Sequence, residues 1–195
     1  LGWKPVLLEN VITPIQQYGY TTGKNSMDSA MIIDAMDILY SGNADGFCIV
    51  SSDSDFTRLA VRLREAGMKV IGIGEKKTPN PFIVACDKFI YIEIINAALD
   101  KKPVPTAMNI STKQRMDVIK LISNAINDLA DDNGWAFLGE VGNLILKKQP
   151  DFDPRNYGYL KLTPLIKNLG DFEIDERQSG KRNNIKLIYI RNKSN

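Results

Sequence analysis

The sequence has no histidine among its 195 residues. That absence excludes Ser-His-Asp and Cys-His nucleophilic mechanisms, and it excludes histidine metal sites. Cysteine is scarce: Cys48 and Cys86 are too few for a four-thiolate zinc site. Each lies in an apolar, strand-like run, so both are expected as reduced core residues, which suits a cytoplasmic location. There is no run of roughly 20 apolar residues, so no transmembrane helix and no membrane partner are expected. No signal-peptide pattern is visible either. Neither sign of charge dominates, with 25 Lys+Arg against 23 Asp+Glu. Acid–base or metal chemistry must therefore run on carboxylates, and oxygen-only sites suit Mg²⁺ or Mn²⁺.

What is present divides into two parts. Hydrophobic residues make up 44% of the chain, enough for a buried core. The stretch 100–112 (DKKPVPTAMNIST) holds Pro103 and Pro105 and no periodic apolar pattern, so it reads as a linker between domains at 1–99 and 113–195. Through Ile110 the chain carries 11 Lys+Arg and 12 Asp+Glu; beyond it the counts are 14 and 11. The positive excess thus falls in the second part.

The first part alternates strand and helix patterns. Strands are predicted at Ile12–Tyr20, Phe47–Ser51, Val70–Gly74 and Phe89–Ile95. Helices are predicted at Asn25–Tyr40, with Met31, Ile32, Ala35 and Leu39 on one face, and at Asp55–Ala66, ended by Gly67. The run FCIVS is continuous and apolar, as in a strand buried on both sides. This alternation argues for a parallel, doubly wound α/β sheet. Such a sheet normally opens on a central strand. The Leu1-Gly2-Trp3 opening reads as helical instead, and that first strand is expected to lie outside this sequence.

Parallel α/β sheets place their chemistry at the carboxyl ends of the strands. FCIVS ends in Ser52-Asp53-Ser54-Asp55, so two carboxylates emerge together at a strand–helix junction. They repel unless a cation lies between them. The bland alternative is that Ser54 or Asp55 only caps the next helix. A second element, Gly23-Lys24-Asn25-Ser26-Met27-Asp28, puts Asp28 in the first turn of a helix near the same edge. There it could simply complement the helix dipole, with Asn25 as the cap. Asp34 and Asp37 point elsewhere, about 240° and 180° from Asp28 at 3.6 residues per turn. Asp28, Asp53 and Asp55 are therefore the candidate catalytic and metal-binding residues. A divalent ion there would activate water and stabilise the attacking and leaving oxygens of a phosphodiester. Lys24, Asn25 and Ser52 are candidate phosphate contacts, although strand-end hydrogen bonding explains Ser52 equally well.

The stretches GKNSMDSAMIIDAMDILYSG and GFCIVSSDSDFTRLAVRLREAGMKVIGIGEKKTP resemble the NYN (LabA-like) family of PIN-like nucleases over roughly Trp3–Ile95. The resemblance implies a three-layer PIN-like fold and divalent-metal-dependent RNA cleavage, with Asp28, Asp53 and Asp55 in the acidic site. It also implies an aspartate on the first strand in an Asp-x-x-Asn pattern, and this sequence contains no such residue. Related nucleases often pair, so a homodimer is the candidate assembly.

The second part predicts helices at Lys113–Asp128, Ala136–Lys147 and Asp153–Leu169, the last capped by Asp153 with Pro154 in its first turn. Strands at Phe172–Arg177 and Ile185–Arg191 flank the basic tip 178–184. Three helices followed by a hairpin describe a winged helix. Arg155, Lys161, Lys167, Lys181 and Arg182 could form a phosphate-contacting surface, and Tyr157 and Tyr159 could stack on bases. Solvated cations and core tyrosines are the ordinary alternatives. The elements GWAFLGEVG and FDPRNYGY resemble the OST-HTH, or LOTUS, domain over about Lys113–Arg191, which implies binding of single-stranded or structured RNA.

Two rival readings remain. One is an RNA-binding regulator with a nuclease-like fold and little activity. The other takes Asp53-Ser54-Asp55-Phe56-Thr57 as the D-x-D-x-T signature of a phosphatase with a nucleophilic aspartate. That signature normally follows the first strand, and the second acidic motif it needs is reduced to Asp87 alone.

Overall fold

The computed structural model describes residues 4–17, 26–99, 111–178 and 186–193. The chain packs as two compact units, residues 1–45 and 46–195. The first holds helices α1 (Lys4–Glu9) and α2 (Ser26–Ser41). On α2, Met31, Ile32, Ala35 and Leu39 are half-buried, as their spacing predicts, while Asp37 is exposed. The strand expected at Ile12–Tyr20 does not form over 12–17. Those residues are exposed and irregular, and Pro14 cannot donate to a ladder. Residues 18–20 lie outside the described set.

The second unit begins with a parallel three-stranded sheet in the order β1 (Gly46–Val50), β2 (Lys69–Gly74), β3 (Lys88–Tyr91). Helices α3 (Thr57–Glu65) and α4 (Asn80–Ala85) form the crossovers. They bury Leu59, Leu63, Phe82 and Ile83 with Val70 and Phe89. Gly72 makes this packing possible. A Cβ there would stand 2.5 Å from Cδ2 of Phe89 and 2.8 Å from Sγ of Cys86, closer than atoms can approach.

Two expectations about the sheet are corrected. β1 is not buried on both sides: it is an end strand of the described sheet, and Val50 and Cys48 are exposed. Cys86 alone is a core cysteine. Its thiol is pushed up to about 11 by burial. The strand expected at Phe89–Ile95 ends at Tyr91, and Ile92–Leu99 form α5. Its partner strand β2 ends at Gly74, opposite Tyr91, so later residues have no ladder to join.

Helix α6 (Thr112–Leu129) opens the helical part, with Ser111 and Gln114 closing a capping box. Then follow β4 (Ala136–Phe137), α7 (Leu138–Lys148), a 3₁₀ turn (Pro154–Tyr157), α8 (Leu162–Leu169), β5 (Phe172–Gln178) and β6 (Lys186–Asn192). The antiparallel order is β4-β6-β5, and the core gathers Ile122, Ile126, Val141, Ile145, Leu165 and Ile190. The predicted second helix starts two residues late because Ala136 and Phe137 pair with Ile190 and Tyr189. The predicted third helix is broken. Asp153 caps only the 3₁₀ turn, which stops at Gly158, a residue with φ +83°.

Candidate metal and RNA site

The sequence after β1 builds its own turn. Ser51 N–H still donates to the Ile73 carbonyl at 2.9 Å, so β1 stays paired to its end. Gly74 permits that approach, since a Cβ there would meet the Ser51 oxygen at 2.5 Å. The Ser52 hydroxyl oxygen accepts from Glu75 N–H at 2.9 Å and ties the ends of β1 and β2 together. Asp53 N–H donates to the Ser51 hydroxyl at 3.1 Å. Asp53 Oδ1 then accepts Asp55 N–H at 2.9 Å, capping the 3₁₀ turn Ser54–Phe56. Phe56, only 4% exposed, anchors that turn in the core.

The capping expected of Ser54 or Asp55 on the next helix does not occur, since Phe56 is the N-cap of α3 and gives it no side-chain bond. Asp53 instead caps the 3₁₀ turn, which leaves its second oxygen for other partners. Both aspartates are exposed at the carboxyl edge of the sheet, and carboxylate oxygens of the two lie within 4.8 Å of each other. Asp28 sits half-buried in the first turn of α2, in the other unit. Lys24 and Asn25 lie outside the described residues. Asp87 lies at the opposite, amino edge, where Oδ2 accepts Val70 N–H at 2.8 Å and Arg64 approaches within 3.3 Å. It is a structural clamp. The phosphatase reading would need it at the edge of Asp53.

In the helical part the candidate RNA contacts separate. Arg155 grips Asp153 twice, Nε to Oδ1 at 2.9 Å and Nη2 to Oδ2 at 2.6 Å. Burial opposes ionisation of Asp153, but these bonds outweigh it and hold the carboxyl below its ordinary value. Tyr157 packs on Phe152, with ring centroids 5.8 Å apart, and burial pushes its hydroxyl up to about 12. Lys161 is exposed at the start of α8, whereas Lys167 pairs with Glu176 at 3.6 Å. Tyr159 packs partly against the core. Lys181 and Arg182 lie outside the described residues.

Sequence reasoning missed the contacts that join the sheet to the helical part. Phe89 N–H donates to the Pro150 carbonyl at 2.8 Å, and the Tyr91 hydroxyl donates to Asp151 Oδ2 at 2.7 Å. No local signal marks a pair 60 residues apart. Sequence reasoning also missed a stack in which Arg177 lies 4.1 Å from the centroid of the Tyr189 ring and Arg191 lies 4.7 Å from that of Trp135. Asp175 and Glu173 neutralise those two arginines, so the stack adds no net positive surface.

A parallel α/β sheet with paired carboxylates at its carboxyl edge, followed by a winged helix, defines a nuclease-like domain joined to a nucleic-acid-binding module. Comparison with known proteins makes this specific. Residues 1–93 match the NYN domain and residues 109–183 match the OST-HTH/LOTUS domain. The chain is thus an NYN domain, of the PIN-like nuclease superfamily, followed by an OST-HTH/LOTUS domain. It is also similar to an uncharacterized protein of Nitrosomonas europaea solved by solution NMR. The identity is 42%, over 49% of this chain and 90% of that one, with a TM-score of 0.36. No curated protein matches the chain.

Proposed function

We propose that this protein is a divalent-metal-dependent ribonuclease to which the OST-HTH/LOTUS domain delivers RNA. The observation that carries this reading is the exposed Asp53–Asp55 pair at the carboxyl edge of a parallel sheet in an NYN domain. In this reading Asp28 joins the pair as the third carboxylate. An all-oxygen donor set without histidine or thiolate fits Mg²⁺ or Mn²⁺. When bound, such an ion supplies the positive charge that the attacking and leaving oxygens of a phosphodiester require. The chain's own contribution is positional: the Ser51–Asp53–Asp55 turn fixes the carboxylates before any ligand arrives.

Lys24, Asn25 and Ser52 are the phosphate contacts of this reading, Ser52 through a hydroxyl proton that its bond from Glu75 leaves unused. On the second domain the Asp153 pair neutralises Arg155, so phosphate binding rests mainly on Lys161, Lys181 and Arg182, with Tyr157 as a base contact. The substrate is single-stranded or structured RNA, and two copies pair. A reducing, cytoplasmic setting accords with the free thiols of Cys48 and Cys86. No helix among the described residues is long and apolar enough to cross a membrane.

The test incubates full-length protein with labelled single-stranded RNA and Mn²⁺ or Mg²⁺, with and without EDTA, beside Asp53→Asn/Asp55→Asn. Cleavage that needs metal and is lost in the variant is expected. RNA that stays intact yet shifts in a binding gel would leave an RNA-binding regulator instead.

A further inference from the structure

A groove of about 560 Å³ opens where the carboxyl end of the parallel sheet meets the helical part. Its size falls in the range of small-ligand sites. It adjoins the acidic edge through a short chain of contacts. Ser52, next to Asp53, accepts from Glu75 N–H, and Lys76, the next residue, lines the groove. With Lys76 the lining holds Tyr91 from β3, Asp117 from α6, and Gln149, Asp151 and Tyr157 from the segment after α7.

The charges decide what such a groove can hold. Lys76 shares the lining with Asp117 and Asp151, so one cation against two carboxylates leaves a balance of −1, which disfavours a phosphate backbone. The lining is instead rich in groups that read flat, polar, uncharged molecules. Among the described residues, the Asp117 carboxylate and the Gln149 carboxamide make no hydrogen bond or ion pair. Asn156, also in the lining, spends its Nδ2 on the Asp151 carbonyl and keeps Oδ1. Two rings are fixed beside these groups. Tyr91 is held by its bond to Asp151 and its edge contact with Phe89, 5.5 Å between centroids. Tyr157 is held against Phe152. Fixed aromatic rings beside unspent carboxamide and carboxylate groups match the way single-stranded RNA is read, by ring contact and by hydrogen bonds to exposed base edges.

We propose that this two-domain groove takes an unstacked nucleobase of the RNA strand, gripped by its edge rather than by its phosphate. The proposal rests on the ribonuclease reading for the identity of its ligand. A base held there sets which phosphodiester reaches Asp53 and Asp55, so the groove selects the cleavage position.

The test measures equilibrium binding by fluorescence anisotropy, in EDTA, with the full-length protein. The probes are a single-stranded RNA 12-mer and an abasic ribose-phosphate strand of the same length. The readout is the ratio of the two affinities. The base-bearing strand is expected to bind at least tenfold tighter, and Gln149→Leu and Asp117→Lys are each expected to cut that ratio at least fivefold. Both positions lie outside the apolar core, and circular dichroism checks the fold of each variant. If Asp117→Lys tightens both strands alike with the ratio intact, the groove holds backbone phosphate and the proposal fails. An unchanged ratio in Gln149→Leu, equal binding of the two strands by wild type, or no binding of either would also overturn it. Because EDTA removes cleavage from this measurement, its result is separable from that of the nuclease assay.

Discussion

Asp53 shows how much one residue's chemistry can be read before any fold is known. That two acids directly after an apolar β-strand stand exposed at the carboxyl edge was legible, because strand ends are where parallel sheets expose side chains. What was not legible is that Asp53 caps a 3₁₀ turn with Oδ1, since that depends on Phe56 being anchored in the core. Arg155 teaches the reverse. A cation two residues from an acid reads as a surface charge, but the two form a closed pair with Asp153 only 8% exposed. This pair has a pH signature. The Asp153 carboxyl titrates below its ordinary value of 3.8 in the folded protein, so the unfolded chain takes up that proton at higher pH. The stabilisation is therefore complete above the ordinary value and lost as pH falls through the lower, folded one. Acid unfolding should show this loss in wild type, and Asp153→Asn should be less stable at neutral pH while losing less below pH 4. An identical acid dependence in the variant would mean the pair contributes nothing.

At the scale of elements, β1 and β2 followed from apolar runs, and the helices α3 and α6 from their apolar spacing. Two of the failures share one cause, which is partners distant in sequence. FIYIEII satisfies both a strand and a helix pattern, and the end of β2 at Gly74 decides between them. Ala136–Phe137 look helical until β6 arrives to pair with them. The helix expected from Asp153 to Leu169 fails locally, at the left-handed Gly158, which the sequence shows as a glycine but not as a stop. Glycine positions also give a sharp stability contrast. Gly72→Ala drives a methyl into Phe89 and should cost roughly 1–3 kcal/mol, measured by urea denaturation. Gly142→Ala, in α7, meets only Leu162 at 3.5 Å and should be neutral or stabilising by up to about 1 kcal/mol. Equal effects of the two would contradict the packing described for β2.

For the whole molecule, the sequence suggested two domains with a linker at 100–112. It held no hint that the sheet and the winged helix touch. Tyr91–Asp151 and Phe89–Pro150 place the carboxyl end of β3 directly against the segment after α7. On the proposed reading, that contact presents RNA held by one part to the other. The contact should appear as energetic coupling. In a double-mutant cycle, Tyr91→Phe and Asp151→Asn should be non-additive by roughly 1 kcal/mol, the worth of one such bond. Additive effects would mean that the Tyr91–Asp151 bond does not couple the two parts.

The measurement that bears most directly on the account is Mn²⁺ binding, followed by electron paramagnetic resonance on full-length protein without RNA. The account predicts a site lost in Asp53→Asn/Asp55→Asn and weakened in Asp28→Asn, by more than the roughly 10–100-fold that outer-shell partners cost. Equal Mn²⁺ affinity in wild type and all variants would contradict it.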